Sequence, residues 1–276
     1  MKKFCFLLQA RKDDEYFSSL ETEDSDCIIL FFKQEVPSRK NSIFRPNTSW
    51  SQGRNILLKE AFKTQKKYEY YVFMDDDIRI FNKSSNEDGI QLYKEMLLEY
   101  RPAIGFPDYF WHLQGGSENK RFNTKQTRKS DMNSPMFFDA CVNAFHESII
   151  KEILPYQEKF DSINWWLSQE IMNHYISNFI DNSVLQFNNI ISINTLSEPY
   201  PRTLGTGILN KGAEYVKKHL VNDKEFALYP KNRLLEYKNS FLSAKEMNFS
   251  KHNLYIEDSD FENFRKEFWA NLGYKK

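Results

Sequence analysis

Tyr70-Tyr71-Val72-Phe73-Met74-Asp75-Asp76-Asp77 is the stretch that decides the reading of this chain. A short run of aromatic and aliphatic residues ended abruptly by three acids predicts a buried strand whose last residues leave the core. In open α/β sheets, ligands bind at that carboxyl edge. Extended backbone alternates its side chains, so Asp75 and Asp77 are expected on one face and Asp76 on the other. Two carboxylates that close repel unless a cation lies between them, and an oxygen-only donor set favours Mg²⁺ or Mn²⁺ over Zn²⁺. The octapeptide therefore predicts a divalent ion that holds a phosphate-bearing substrate.

Working outward, residues 3–9 and 27–32 read as strands on either side of a charged stretch, 11–26, with room for a helix. Ser49 or Ser51 caps a helix running to about residue 67, with Ile56, Leu57, Ala61 and Phe62 at helical spacing. Residues 88–100 form an amphipathic helix through Ile90, Tyr93, Leu97 and Leu98, ended by Arg101-Pro102, and 103–106 a further strand. This alternation of strand and helix predicts an α/β fold, a three-layer α/β/α sandwich on a mostly parallel central sheet.

Residues 114–133 contain Gly115-Gly116, then Lys120, Arg121, Lys125, Arg128 and Lys129, and almost nothing apolar. They predict a mobile loop, either a solvated connection or a lid that closes over phosphates. Order returns at 136–138 and 143–145, followed by helices over 146–154 and 163–180 and a strand over 184–193. Further helices are expected over 209–220, 232–243 and 260–272. The expected division is a main domain, 1–200, and a helical C-terminal extension, 201–276, packed on it.

With 276 residues and 41% hydrophobic side chains, the chain can fill one large core. Lys plus Arg equals Asp plus Glu at 38 each, so no global field draws nucleic acid. Most of the aromatic residues should fill the core, leaving a minority as a platform for sugar rings. Cys5, Cys27 and Cys141 are too scattered for a disulfide framework or a zinc site, which fits a reducing, cytoplasmic setting. Met1-Lys2-Lys3 and the apolar residues 4–8 read as a first strand rather than a leader. No stretch reaches the ~20 apolar residues a bilayer crossing requires. The expectation is a soluble protein, with peripheral membrane contact through the tail at 264–276 as the furthest extension.

A strand that delivers Asp75-Asp76-Asp77, preceded by a helix containing Ser51-Gln52-Gly53-Arg54-Asn55, resembles the GT-A fold glycosyltransferases over roughly residues 3–195. The resemblance implies transfer of a sugar from a nucleoside diphosphate donor to a hydroxyl of a glycan or lipid-linked glycan, with inversion and with Mn²⁺ or Mg²⁺ as cofactor. It assigns the metal to Asp75 and Asp77. Asp75 and Asp76 stand beside the donor, and Gln9, Ala10 and Arg11 at the end of the first strand meet its base and ribose. Arg54 meets the diphosphate. Inverting members need a carboxylate base, for which Glu170 in Ser168-Gln169-Glu170 and Asp139 in Phe138-Asp139-Ala140 are the candidates. His219 or His252 would be a third metal ligand, and Trp165 or Trp166 a sugar platform with the other in the core.

Competing chemistries are less well matched. Gly-x-x-x-x-Gly-Lys and Gly-x-Gly-x-x-Gly are absent, which argues against a P-loop kinase or a Rossmann dehydrogenase. A haloacid-dehalogenase-type phosphatase also follows an apolar strand with Asp-x-Asp, but its motif opens the chain and continues into Thr or Val, whereas here Ile78-Arg79 follow. A carbohydrate-binding protein that keeps the fold without catalysis is the remaining alternative.

Overall fold

The computed structural model describes residues 2–85, 87–112, 132–134, 138–179, 184–195, 214, 215, 218, 235, 236 and 259–273. In chain order it runs β1 (Phe4–Ala10), α1 (Tyr16–Ser19), β2 (Ser25–Phe31), β3 (Ser42–Phe44), α2 (Trp50–Lys63), β4 (Tyr70–Asp75), β5 (Ile78–Asn82), α3 (Ile90–Tyr100) and β6 (Ile104–His112). It continues with β7 (Met132–Ser134), β8 (Val142–His146), α4 (Glu147–Ile153), α5 (Asp161–Asn164), α6 (Trp166–Phe179), β9 (Val184–Asn194), β10 (Leu235–Glu236) and α7 (Ser259–Ala270).

The strands form a single sheet in the order β10-β7-β9-β6-β8-β4-β1-β2-β3, with β5 alongside β9. β3, β2, β1 and β4 are parallel neighbours. Beyond an inverted β8, β6 and β9 run in the same direction again, while β5 and β7 run against β9. Strand direction is thus mostly shared.

A side-chain period of two decides which helix layer each residue meets. Tyr71 and Phe73 of β4, with Cys5 and Leu7 of β1 and Ile28 and Leu30 of β2, pack against Leu57 of α2, Ile150 of α4, Leu167 of α6 and Phe268 of α7. Tyr70, Val72 and Met74, with Phe4, Phe6 and Leu8, face Phe17 of α1 and Tyr93 and Leu97 of α3. Fully burying one Leu or Phe contributes roughly 2 kcal/mol, so these two layers hold the strand ends in register. The result is the three-layer α/β/α architecture that the sequence predicts, consistent with a GT-A-like fold. The same parity sends Asp75 and Gln9 toward α2.

Several boundaries differ from expectation for identifiable reasons. β4 stops at Asp75, and Asp76 and Asp77 form a turn, so strict alternation does not extend through the triplet. The Asp77 carbonyl is instead taken by Thr195, through its N–H at 2.7 Å and its hydroxyl at 2.9 Å. The chain then folds back into β5, which pairs with β9. α2 ends at Lys63, and Gln65 just beyond it has φ of 56°, a left-handed conformation that stops the helix short of residue 67. Leu235–Glu236, expected in a helix, form β10 against Asn133 and Ser134. An open sheet edge offers backbone partners that override local propensity.

The expected loop at 114–133 lies outside the described residues up to residue 131, as does the expected helix at 209–220 apart from 214, 215 and 218. α7 of the expected extension does lie on the main core, where the Trp269 indole N–H donates to the Leu154 carbonyl at 3.0 Å. Among the described residues no helix is long and apolar enough to cross a membrane. Cys5, Cys27 and Cys141 are free and buried.

Candidate active site

The carboxyl ends of the adjacent strands β1 and β4 bring Gln9, Arg11, Asp75, Asp76 and Asp77 together, and α2 and the segment before β8 add Arg54 and Asp139. Arg54 is 2% exposed, and one guanidinium nitrogen donates to both Asp75 Oδ1 at 2.7 Å and the Ala140 carbonyl at 2.8 Å. The Asp75 N–H donates to the Cys141 carbonyl at 2.9 Å. Together these bonds lock the end of β4 to the segment that carries Asp139. The Arg54 guanidinium lies 4.1 Å from the Trp50 ring centre, and Trp50 itself packs 4.7 Å from Trp165. Such stacking suits the flat, weakly hydrated face of a guanidinium.

Asp75 is surrounded by protein, yet 25% of its side-chain surface stays open. Burial, with the charges of Asp77 and Asp139 beside it, pushes its carboxyl up to about 7 despite the opposing pull of Arg54. Burial and Asp76 likewise raise Asp77, against the pull of Arg11. Among the described residues, Asp75, Asp76, Asp77 and Asp139 thus crowd together beside the guanidiniums of Arg11 and Arg54.

Asp76 is held by Arg11 through both of its carboxylate oxygens. Its Oδ2 accepts from the Arg11 N–H at 2.8 Å and from Nε at 3.0 Å, and its Oδ1 accepts from Nη2 at 3.1 Å. Arg11 also reaches Asp77 Oδ2 at 3.4 Å. The resemblance puts Arg11 at the donor's base and ribose, and says nothing of its tie to Asp76.

Gln9 lies over Gly53, where an added Cβ would come within 2.3 Å of its Cδ, and its amide donates to the Ser49 carbonyl at 3.1 Å. Only glycine lets α2 come this close to the end of β1. Ala10 turns its methyl into the α1/α3 layer, so only its backbone faces the site. Asp139 accepts from the Cys141 N–H at 2.9 Å and lines a depression with Phe106, Tyr109, Phe138 and Gln186.

Glu170, on α6, is 4% exposed and is not among the residues lining that depression. Its helix neighbours Gln169 and Asn173 donate to the Phe138 carbonyl at 3.3 and 3.2 Å, so α6 positions the segment that leads into Asp139. Trp165 stacks on Trp50, and Trp166 packs against the α2 layer.

Other supports were not visible in the sequence. Asp161, the first residue of α5, caps α2 from far along the chain: its Oδ2 accepts from the Ser51 N–H at 3.0 Å and from the Ser49 hydroxyl, and its Oδ1 accepts from the Ser51 hydroxyl at 2.6 Å. Asn55, next to Arg54, exchanges bonds with the Tyr156 backbone at 2.8 and 2.9 Å. The i, i+4 spacing of the amides Gln169 and Asn173 is a local signal that could have revealed such a role.

Among the described residues, no group of three His, Cys, Asp or Glu side chains is placed to cage a metal ion. Asp75 and Asp77 offer two hard carboxylates, each with an arginine beside it. That set fits a Mg²⁺- or Mn²⁺-type ion that takes its remaining oxygens from phosphates and water. His219 and His252 lie outside the described residues, and His146 sits at the opposite end of β4, paired with Tyr70.

No protein-family model matches the chain, and no curated protein matches it. Among solved structures it is similar to S. aureus TarS 1–349, at 12% identity and a TM-score of 0.43, over 71% of this chain and 58% of that one. The same TarS segment in complex with UDP is similar at 12% identity and a TM-score of 0.41, with the same coverage. A197 from STIV is similar at 11% identity and a TM-score of 0.44, over 71% of this chain and 87% of that one. The chain therefore spans less than two thirds of the TarS structures, and likeness at this level carries no argument about residues or chemistry.

Proposed function

We propose that this chain is a GT-A-type glycosyltransferase that moves a sugar from a nucleoside diphosphate donor to a hydroxyl of a glycan or lipid-linked glycan, with Mn²⁺ or Mg²⁺ held by Asp75 and Asp77. The observation that carries the proposal is the crowding of Asp75, Asp76 and Asp77 at the carboxyl ends of β1 and β4, where neighbouring like charge raises the cost of ionising Asp75 and Asp77. Crowded like charge in a partly dry site is costly, and a divalent ion with a diphosphate removes that cost. The step from fold to donor class is analogy to GT-A enzymes; the step from site to ion is electrostatic.

When bound, the ion supplies Lewis acidity that offsets charge on the departing diphosphate. The chain's own residues do the rest. Gln9 and the backbone at Ala10 border the donor base and ribose, and Arg11 stands at the diphosphate. Arg54, committed to Asp75 and Ala140, keeps Asp75 in place rather than contacting phosphate itself. Of the two candidate bases, Asp139 lines the depression, and its charge acts on Asp75. It is therefore our first choice to take the acceptor hydroxyl proton as that oxygen attacks the anomeric carbon with inversion. Glu170 is the second.

The test is a thermal-shift panel of nucleoside diphosphates and sugar nucleotides, with and without Mn²⁺. Stabilisation by one of them that needs Mn²⁺ and disappears in Asp77→Ala is the expected result. Indifference to the whole panel would sink the proposal. A covalent phosphate on Asp75, seen by intact mass after incubation with phosphomonoesters, would point to the phosphatase alternative instead.

A further inference from the structure

We infer that Arg11 is a positioning residue that occupies the approach to Asp77 as an internal cation, so that a divalent ion binds well only when a diphosphate draws the guanidinium away. The inference rests on the glycosyltransferase reading above. It concerns the order and coupling of ligands, which that reading leaves open.

The geometry is a fork with a third reach. Arg11 follows β1 directly, and its N–H and Nε both donate to Asp76 Oδ2 while Nη2 donates to Asp76 Oδ1. Bidentate pairing fixes the guanidinium plane. Once fixed, that plane brings the same Nη2 to 3.4 Å from Asp77 Oδ2. The contact is long for a hydrogen bond but short for a charge, and both side chains are mostly enclosed, at 19% and 13% exposure.

Two consequences follow from elementary electrostatics. An ion approaching Asp77 meets a positive charge already beside its ligand, and in a partly dry site that repulsion is weakly screened. A diphosphate brings negative charge and planar pairs of oxygens, which suit a guanidinium better than one carboxylate oxygen at 3.4 Å. The guanidinium can swing to the phosphate as a unit, giving up its Nε and Nη2 contacts, while the Arg11 backbone N–H stays on Asp76 Oδ2. Ion and diphosphate then each strengthen the other's binding, which is a coupling free energy between two ligands. Arg54 cannot play this part, because it is 2% exposed and committed to Asp75 and Ala140.

The experiment follows free Mn²⁺ by electron paramagnetic resonance while MnCl₂ is titrated into the full chain, alone and with UDP, GDP, ADP or CDP. For the wild type we expect one of these nucleotides to raise Mn²⁺ affinity about tenfold or more. In Arg11→Gln, ligand-free Mn²⁺ affinity should rise about tenfold and the gain from the nucleotide should shrink to roughly threefold or less. A purely structural Arg11 would instead weaken Mn²⁺ binding in both states.

Arg11→Lys decides the matter if the Gln variant does not fold. An ammonium cannot hold Asp76 and lean on Asp77 together, so ligand-free affinity should rise about threefold. Unchanged or lower ligand-free affinity in a folded variant overturns the inference and leaves the glycosyltransferase reading intact. Wild-type protein that takes up no Mn²⁺ with any of the nucleotides overturns the metal-dependent reading and this inference with it.

Discussion

Toward its start, β4 lies among tyrosine hydroxyls paired with backbone carbonyls; at its end, Asp75, Asp76, Asp77 and Asp139 crowd beside Arg11 and Arg54. Near the start, the Tyr70 hydroxyl donates to the Pro102 carbonyl at 2.9 Å and the Tyr93 hydroxyl to the Gly105 carbonyl at 2.7 Å. Matched neutral pairs need nothing from outside, because a buried donor and acceptor satisfy each other. Crowded like charge is different: it lowers stability unless a ligand repays it, and proteins retain it where function requires it. One strand thus shows what a structural end and a functional end look like in the same sheet.

The strongest way to break this comparison is to remove the deepest cation. Arg54→Met leaves Asp75 and the Ala140 carbonyl without their shared donor, and the expected loss is about 3–5 kcal/mol in urea unfolding. Adding Asp75→Asn should recover part of it, since an amide carries no uncompensated charge. A loss near zero for Arg54→Met would mean that the acidic end does not depend on its buried pair.

Tyr70→Phe probes the other end. It should cost about 1–2 kcal/mol by stranding the Pro102 carbonyl, yet leave Mn²⁺ and nucleotide binding untouched. A change in ligand affinity would show that the two ends are coupled along the strand. Gly53→Ala is expected to cost about 1 kcal/mol, because the new methyl forces the Gln9 side chain off the Ser49 carbonyl. Nucleotide affinity should fall with it, as measured by calorimetry, and Gln9→Ala should cost affinity without the steric penalty.

The smallest expected effect is a pH slope. Burial lowers the His146 imidazole to about 4, so from the ordinary value near 6.5 downward the unfolded chain takes up a proton that the folded ring refuses. Stability should decline from about pH 6.5 toward pH 4 by something on the order of 1 kcal/mol, reduced by the ring's partial exposure. Asp75, shifted upward, contributes a slope of the opposite sign. The His146 part is therefore read as the difference between wild type and His146→Gln; equal slopes would mean that the ring is not kept neutral.

How much of this could be read beforehand depends on sequence separation. The run 70–74 gave the strand, its two faces and the acids at its end, because local alternation and composition carry those. The turn at Asp76-Asp77 was hidden, since it depends on Thr195, more than a hundred residues later. For the same reason the pairing of β5 with β9 could not be foreseen. Arg11 with Asp76 and Asp161 with Ser51 are partners across 65 and 110 positions, and no spacing rule links residues that far apart. β10 was misread as helix because edge pairing, not propensity, decides a two-residue strand.

β9 has a consequence for how the molecule comes into being. It pairs with β5, β6 and β7, and Thr195, just past its end, grips the Asp77 carbonyl twice. A nascent polypeptide that has left the ribosome only as far as β8 can lay down β1, β2 and β4 and tie Arg11 to Asp76, but it lacks the Thr195 grip on the acidic turn. Ligand-binding competence should therefore appear late in synthesis, after the early sheet is already in place, and arrested chains ending before and after residue 195 would differ in it.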